Sequence, residues 1–143
     1  MPAQSNSPPL GASPATGVSS GHHAQVLDRA AMLASVEQDL DLLRELAELF
    51  FAESPGQLAQ IRTGIAERNP ELVERCAHTL KGALATFGAL RASAVAREVE
   101  IHGRGGHLED VAAHVSTLEA EVAQACAALS DYLREVKSER TPR

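Results

Sequence analysis

Apolar residues along this chain recur at spacings of three and four, the period of helices that bury one face, and no stretch shows the alternation of a half-buried strand. Residues 26–35 predict a short helix with Leu27, Ala30, Ala31 and Ala34 on one side. A stronger pattern over 40–52 aligns Leu43, Leu46, Ala47 and Phe50. Ser54-Pro55 then reads as a helix start, an N-cap followed by proline at the first helical position. The segment it opens carries Leu58, Ile61 and Ile65 to about residue 68. A kink in one continuous helix is the alternative. Asn69-Pro70 repeats the start signal, with Glu71 favourable in the first turn, and that helix ends at Gly88, a residue suited to a left-handed C-terminal position.

A further helix is predicted over 90–102, with Ala92, Val95, Ala96 and Val99 as its stripe. Gly103-Arg104-Gly105-Gly106 reads as a flexible turn; it comes after a helix and lacks the Gly-Lys-Ser/Thr ending of a phosphate-binding loop. The last helix is long, over 108–136, with Glu109 and Asp110 in its first turn. Its Leu108, Val111, Val115, Leu118, Val122, Ala125, Leu129, Tyr132 and Val136 alternate by three and four over about four heptads. The expected fold is all-α, an antiparallel four-helix bundle with one or two short N-terminal capping helices. Helices starting near Pro55, Pro70, Leu90 and Leu108 would form it; if Pro55 only kinks its helix, the first begins near Leu40.

The bundle is expected to occupy residues 25–136. Before it, residues 1–24 are rich in Ser, Pro, Gly and Ala and read as a disordered tail or linker. Adjacent His22 and His23 in that segment are weak grounds for a metal site. Residues 137–143 read as a polar C-terminal tail.

Composition mainly excludes. A formal net charge of -6 and a pI near 5.5 argue against nucleic acid as the main partner, since phosphate backbones select basic surfaces. No apolar run approaches the length of a membrane span, and the N-terminus lacks the apolar core of a signal peptide, so a cytoplasmic protein off the membrane is expected. Cys76 and Cys126 each fall on an apolar stripe and read as buried thiols of a reducing compartment, with no disulfide. A monomer is the default, because the apolar stripes are used inside the bundle.

The chemistry concentrates in Arg75-Cys76-Ala77-His78-Thr79-Leu80-Lys81-Gly82-Ala83. On a helix, Val73, Cys76, Ala77, Leu80, Leu84 and Phe87 share one apolar stripe, and His78 lies ~160° from its centre, pointing at water. Spacing alone allows a plain surface histidine. Yet Gly82 comes one turn later, inside a helix, where glycine costs roughly 1 kcal/mol relative to alanine; something large is expected to come close to His78. Lys81 has Ala77, His78, Leu84 and Ala85 at three and four positions, none acidic, so no pairing within its helix accounts for it. Arg75, by contrast, has Glu71 at the pairing distance of four. His102, His107 and His114 invite a metal reading, but no ligand set of recognisable zinc spacing surrounds them. Nothing resembles a Ser/His/Asp triad, a P-loop or the ATP-binding motifs of a histidine kinase.

His78-Thr79-Leu80-Lys81-Gly82-Ala83, with Gly88-Ala89 after it, resembles the signature of histidine-containing phosphotransfer (HPt) domains of two-component phosphorelays. The likeness extends from about Val26 to about Leu133. It includes an acidic, leucine-rich stretch ending in Leu-Phe ahead of the motif (Glu45 to Phe51) and the Val99-Glu100 pair after it. Many members carry serine where this chain has Ala83. The resemblance implies a helical bundle in which neutral imidazole of His78 attacks a phosphoryl group on a partner's aspartate and later returns it to another. Lys81 would neutralise the phosphoryl oxygens, Gly82 would give the partner access, and Arg75 and Ala85, with Thr86, would form its docking rim. The implied partners are response-regulator receiver domains, with a hybrid histidine kinase as a further candidate. No cofactor is expected on this chain; the Mg2+ that phosphoryl transfer uses is expected in the receiver. The chain should lack autonomous kinase activity. The alternative is a non-catalytic helical interaction module that binds receivers or other signalling proteins without carrying phosphate.

Overall fold

The computed structural model describes residues 26–140. Among them the regular elements are the helices α1 (Arg29–Ser35), α2 (Leu40–Ala66), α3 (Pro70–Thr86), α4 (Leu90–Arg104) and α5 (Leu108–Arg140). The expected tail over 1–24, with His22 and His23, lies outside the described residues. Helices α2 to α5 form the antiparallel bundle, each packed on two neighbours in the order α2, α3, α4, α5 and back to α2, while α1 caps one end against α3.

Short connections enforce the antiparallel arrangement. Those over 67–69, 87–89 and 105–107 each place their middle residue in the left-handed region: Arg68 at φ 56°, Gly88 at 73° and Gly106 at 76°. Side-chain caps start the helices. Asn69 Oδ1 accepts from the Leu72 amide at 3.1 Å, Asp39 Oδ1 from Leu42 at 3.0 Å and Asp28 Oδ1 from Ala31 at 3.1 Å. Such a cap is worth about 1 kcal/mol.

The stripe predicted for α5 is buried throughout, from Leu108 to Val136, and it meets Val73, Cys76, Ala77, Leu80 and Leu84 of α3 in one core. Full burial of a leucine or valine contributes roughly 1.5–3 kcal/mol, which is ample to override weak local preferences. Pro55 illustrates this. It does not start a new helix: α2 runs through it without interruption, so the first bundle helix begins at Leu40. Leu43, Ala47, Phe50, Ser54, Ile61 and Gly64 form one buried face across the proline, and packing of both halves outweighs an interior-proline penalty of about 3 kcal/mol.

Other boundaries also shift. In α1 the buried residue is Met32, with Leu27 and Val36 buried beside it, whereas Ala30, Ala31 and Ala34 are exposed; so short a helix docks through Met32 and the half-buried Leu33, because alanines remove little surface from water. Helix α4 continues past residue 102 through Gly103 to Arg104. Gly103 is therefore no part of a flexible turn. A Cβ there would stand 3.0 Å from Val73 Cγ1, and one at Gly64 would stand 2.7 Å from Val73 Cγ2, so Val73 is wedged where three helices approach closely. Val95 is half-buried at the edge of its stripe. Helix α5 extends to Arg140, over part of the expected polar tail. Cys76 is buried, Cys126 only half-buried, and both thiols are free.

Gly88 ties α1 to the motif helix. Its carbonyl accepts from the Asp28 amide at 2.7 Å, and a Cβ on it would lie 2.3 Å from the Asp28 oxygen. Gly88→Ala should therefore combine left-handed strain with a backbone collision and cost about 2–4 kcal/mol. A thermal melt should show Tm lowered by roughly 10 °C; an unchanged Tm would mean that this junction relaxes freely.

Candidate functional site

His78 stands on the solvent side of α3, and its side chain is 66% exposed. The core stripe of the same helix locks the backbone beneath it, with Ala77 and Leu80 on either side fully or almost fully buried. The ring is nevertheless not free. Its Nδ1 lies 2.8 Å from Glu100 Oε2 on α4. Glu100 is one of two buried polar residues among those described, at 3% exposure. It lies on the buried side of α4 with Ala96, Val99 and Gly103.

Both oxygens of Glu100 are satisfied by donors. Lys81 Nζ reaches Oε1 at 2.8 Å, and Arg104 Nη2 reaches Oε2 at 3.1 Å. Arg104 in turn donates through Nε to Glu74 at 2.8 Å. An isolated buried carboxylate would cost several kcal/mol; here the charge is met by two cations and an imidazole. Burial pushes the Glu100 carboxyl upward, but hydrogen bonds and charge from Lys81 and His78 outweigh it, and the net displacement is downward. A carboxylate in its ionised form only accepts, so His78 Nδ1 is the donor in this contact, and in the neutral ring that tautomer leaves the lone pair on Nε2.

The sign of that displacement has a stability consequence. A carboxyl held lower in the folded state than in the unfolded one contributes stability above its unfolded value of ~4.3 and loses it as pH falls through the folded value. The acid limb of a pH–stability curve should accordingly be shallower in Glu100→Ala, which should also lose about 1–2 kcal/mol at pH 7 by leaving Lys81 and Arg104 to re-solvate. Chemical denaturation at pH 7 and pH 3.5 checks both statements; equal losses at the two pH values would contradict them.

The predicted site residues divide into two groups. His78 and Lys81 meet at one carboxylate, and Arg75 lines the same surface depression with Glu71, Glu74 and Arg104. Gly82 and Ala85 lie exposed on the outer face beyond it, with nothing within 4 Å of where a Gly82 Cβ would be. Thr86 is half-buried and lines an apolar groove of about 190 Å³ between α2 and α3, with Leu46, Leu49, Phe50 and Leu80. The absence of an acidic neighbour within its own helix does not leave Lys81 unpaired, because its partner comes from α4. The expected Glu71–Arg75 pair does not form; among the described residues neither has an ion pair within 4 Å, and it is Glu74 that bridges helices.

The profile of the Hpt domain family matches residues 45–131. The chain belongs to this family. In structure, this Hpt domain is similar to histidine-containing phosphotransfer protein B (HptB) from Pseudomonas aeruginosa PAO1, with a TM-score of 0.71, 21% identity and coverage of 77% of this chain and 96% of that one. It is also similar to the HPT domain of the Hpt sensor hybrid histidine kinase from Shewanella, with a TM-score of 0.68, 18% identity and coverage of 78% and 96%. At those identities the likeness establishes the bundle. No curated protein sequence matches significantly. Hpt domains work in two-component relays with receiver domains and hybrid kinases, so a general role in histidine phosphotransfer comes with membership.

Glu100, Arg104 and Glu74 were not among the residues singled out for the site. Two signals pointed to Glu100: the Val99-Glu100 pair in the family resemblance, and the register of α4, where a helix whose stripe is Ala92, Ala96 and Val99 continues onto Glu100 and a carboxylate on a buried face demands cationic partners. The other histidines among the described residues form no comparable centre. The rings of His102 and His114 lie 5.3 Å apart, His102 is 3.8 Å from both Glu98 and Asp110, and His114 Nδ1 is 2.8 Å from the Asp110 carbonyl. Among the described residues no group of three or more His, Cys, Asp or Glu is arranged to hold a metal ion, and no helix is long and apolar enough to cross a membrane.

Proposed function

We propose that this Hpt domain accepts a phosphoryl group on Nε2 of His78 from the aspartyl phosphate of a receiver domain and passes it to the aspartate of another. The observation that carries the reading is an imidazole 66% exposed on a helix rigid beneath it, with Nδ1 anchored 2.8 Å from a buried carboxylate. That anchor fixes ring and tautomer before a partner arrives, which lowers the entropy cost of reaching an in-line geometry. Phosphoryl transfer needs positioning and charge neutralisation more than covalent chemistry from the protein.

Lys81 supplies the neutralisation. Its ammonium rests on Glu100, and a flexible stem lets it turn to the phosphoryl oxygens as their charge develops nearby. Arg75, without an ion pair among the described residues, is a second cation at the rim. Mg2+ would arrive with the receiver. Gly82 and Ala85 leave the outer face low, so that the partner's phosphoaspartate can descend onto the ring.

The test is transfer from a panel of phosphorylated receiver domains to the purified protein. Uptake of an acid-labile, base-stable phosphate supports the reading, and the fastest donor points to the cognate partner. A folded domain that takes phosphate from no receiver would favour a non-catalytic interaction module instead.

A further inference from the structure

The buried carboxylate against the His78 ring also bears on the phosphorylated state, provided that His78 is the acceptor. When the Nε2 lone pair forms the N–P bond, the P–O bond to the receiver aspartate breaks and its electron pair leaves on that carboxylate. The Nδ1 proton stays, so the ring becomes a phosphoimidazolium with a formal positive charge. If the proton is retained, later cleavage of the P–N bond returns the electron pair to Nε2 and expels a neutral imidazole. If the proton has gone to water, the same cleavage must expel an imidazolate anion, a far poorer leaving group. The lability of the phosphoryl group therefore depends on what faces Nδ1.

Here Nδ1 faces Glu100 Oε2 at 2.8 Å, and Glu100 is 3% exposed. A hydrogen bond to an ionised acceptor is roughly twice as strong as one between neutral groups. We propose that Glu100 retains the Nδ1 proton on phosphorylated His78 and so keeps the phosphoryl group in its readily transferable form at alkaline pH. Glu100 is on this account a positioning residue, acting through the ring.

The other charges around the ring are accounted for. From α4, Arg104 bonds Glu100 Oε2 at 3.1 Å; from α3, Lys81 bonds Oε1 at 2.8 Å, Glu74 holds Arg104, and Glu71 and Arg75 line the depression. Among the described residues neither α2 nor α5 lines this depression with a charge; Glu53 of α2 lines the separate apolar groove. Lys81 and Arg104 partly neutralise Glu100 in the resting state. A phosphoryl dianion competes for both, which frees the carboxylate for the imidazolium.

The experiment loads wild type and Glu100→Gln with phosphoramidate, a small P–N phosphodonor, removes the donor and tracks loss of phosphate by 31P NMR from pH 5 to 9. Glutamine keeps an acceptor oxygen and the shape but not the charge. The two proteins should lose phosphate at similar rates at pH 5.5, and the variant roughly tenfold more slowly at pH 8.5, the change given by about one unit in the Nδ1 titration. Coincident profiles, or faster loss from the variant at pH 8.5, would overturn the proposal. On phosphorylated wild type alone, the 15N resonance of Nδ1 should titrate at higher pH than in free phosphohistidine. Titration at or below the free value overturns the proposal whether or not the variant folds. Failure of the wild type to take up phosphate at His78 would overturn the acceptor reading itself, and this proposal with it.

Discussion

His78→Gln should abolish phosphoryl uptake from a receiver, by more than about a thousandfold, while leaving the bundle intact. The loss is expected because an amide nitrogen has no lone pair available for attack on phosphorus, and no other side chain at this surface replaces it. Lys81, Arg75 and Arg104 are cations, and Glu71, Glu74 and Glu100 would repel the incoming phosphoryl group. The fold should survive because the ring is 66% exposed and has no place in the apolar core. Glutamine can also donate to Glu100 in place of Nδ1, so the buried carboxylate keeps three donors. Exposed substitutions of this kind stay within about 0.5 kcal/mol. Radiolabel transfer and a thermal melt on the same preparation test both halves. Retained phosphorylation would put the acceptor elsewhere, and a collapsed melt would show that Glu100 depends on the imidazole for its burial.

The helices and their buried faces were largely legible in the sequence, for a physical reason. Leu108 to Val136 and Val73 to Phe87 keep their apolar spacing without interruption, and an amphipathic helix is the structure that buries such a stripe. Pro55 misled because the residue before it on the buried face is Ser54, at 3% exposure. The run Leu43, Ala47, Phe50, Ser54, Ile61 keeps step through the proline; a serine on the stripe that reads as an N-cap, with proline after it, concealed that continuity. The motif placed His78 and Lys81 together, but their common partner lies 22 residues beyond His78 on another helix. Pairing rules within one helix could not find it. They left Lys81 without an explanation and gave Arg75 a partner that it does not take. Charged side chains are long enough to choose between helices, and that choice is made by tertiary packing, here by the close approach of Gly103 to Val73.

Gly82→Gln should separate stability from function. The position lies within α3, and nothing stands within 4 Å of an added Cβ, so glutamine meets no obstacle there. Replacing an interior helical glycine by a good helix former should stabilise the domain by up to about 1 kcal/mol. Transfer from a receiver should nevertheless fall by at least about tenfold, because the new side chain rises one turn from His78, where the partner's phosphoaspartate must reach the ring, and a misplacement of about 1 Å can cost a hundredfold. Phosphoramidate, small enough to approach from any side, should load His78 at close to the wild-type rate. The combination is diagnostic. A higher Tm, normal loading by the small donor and slow transfer from the receiver would mean that the glycine is kept for access, at the expense of helix stability. Equal loss with both donors would mean that the ring itself has been disturbed. Undiminished transfer from the receiver would remove the steric argument, and the partner would then have to approach His78 from the side of Arg75 and Glu71.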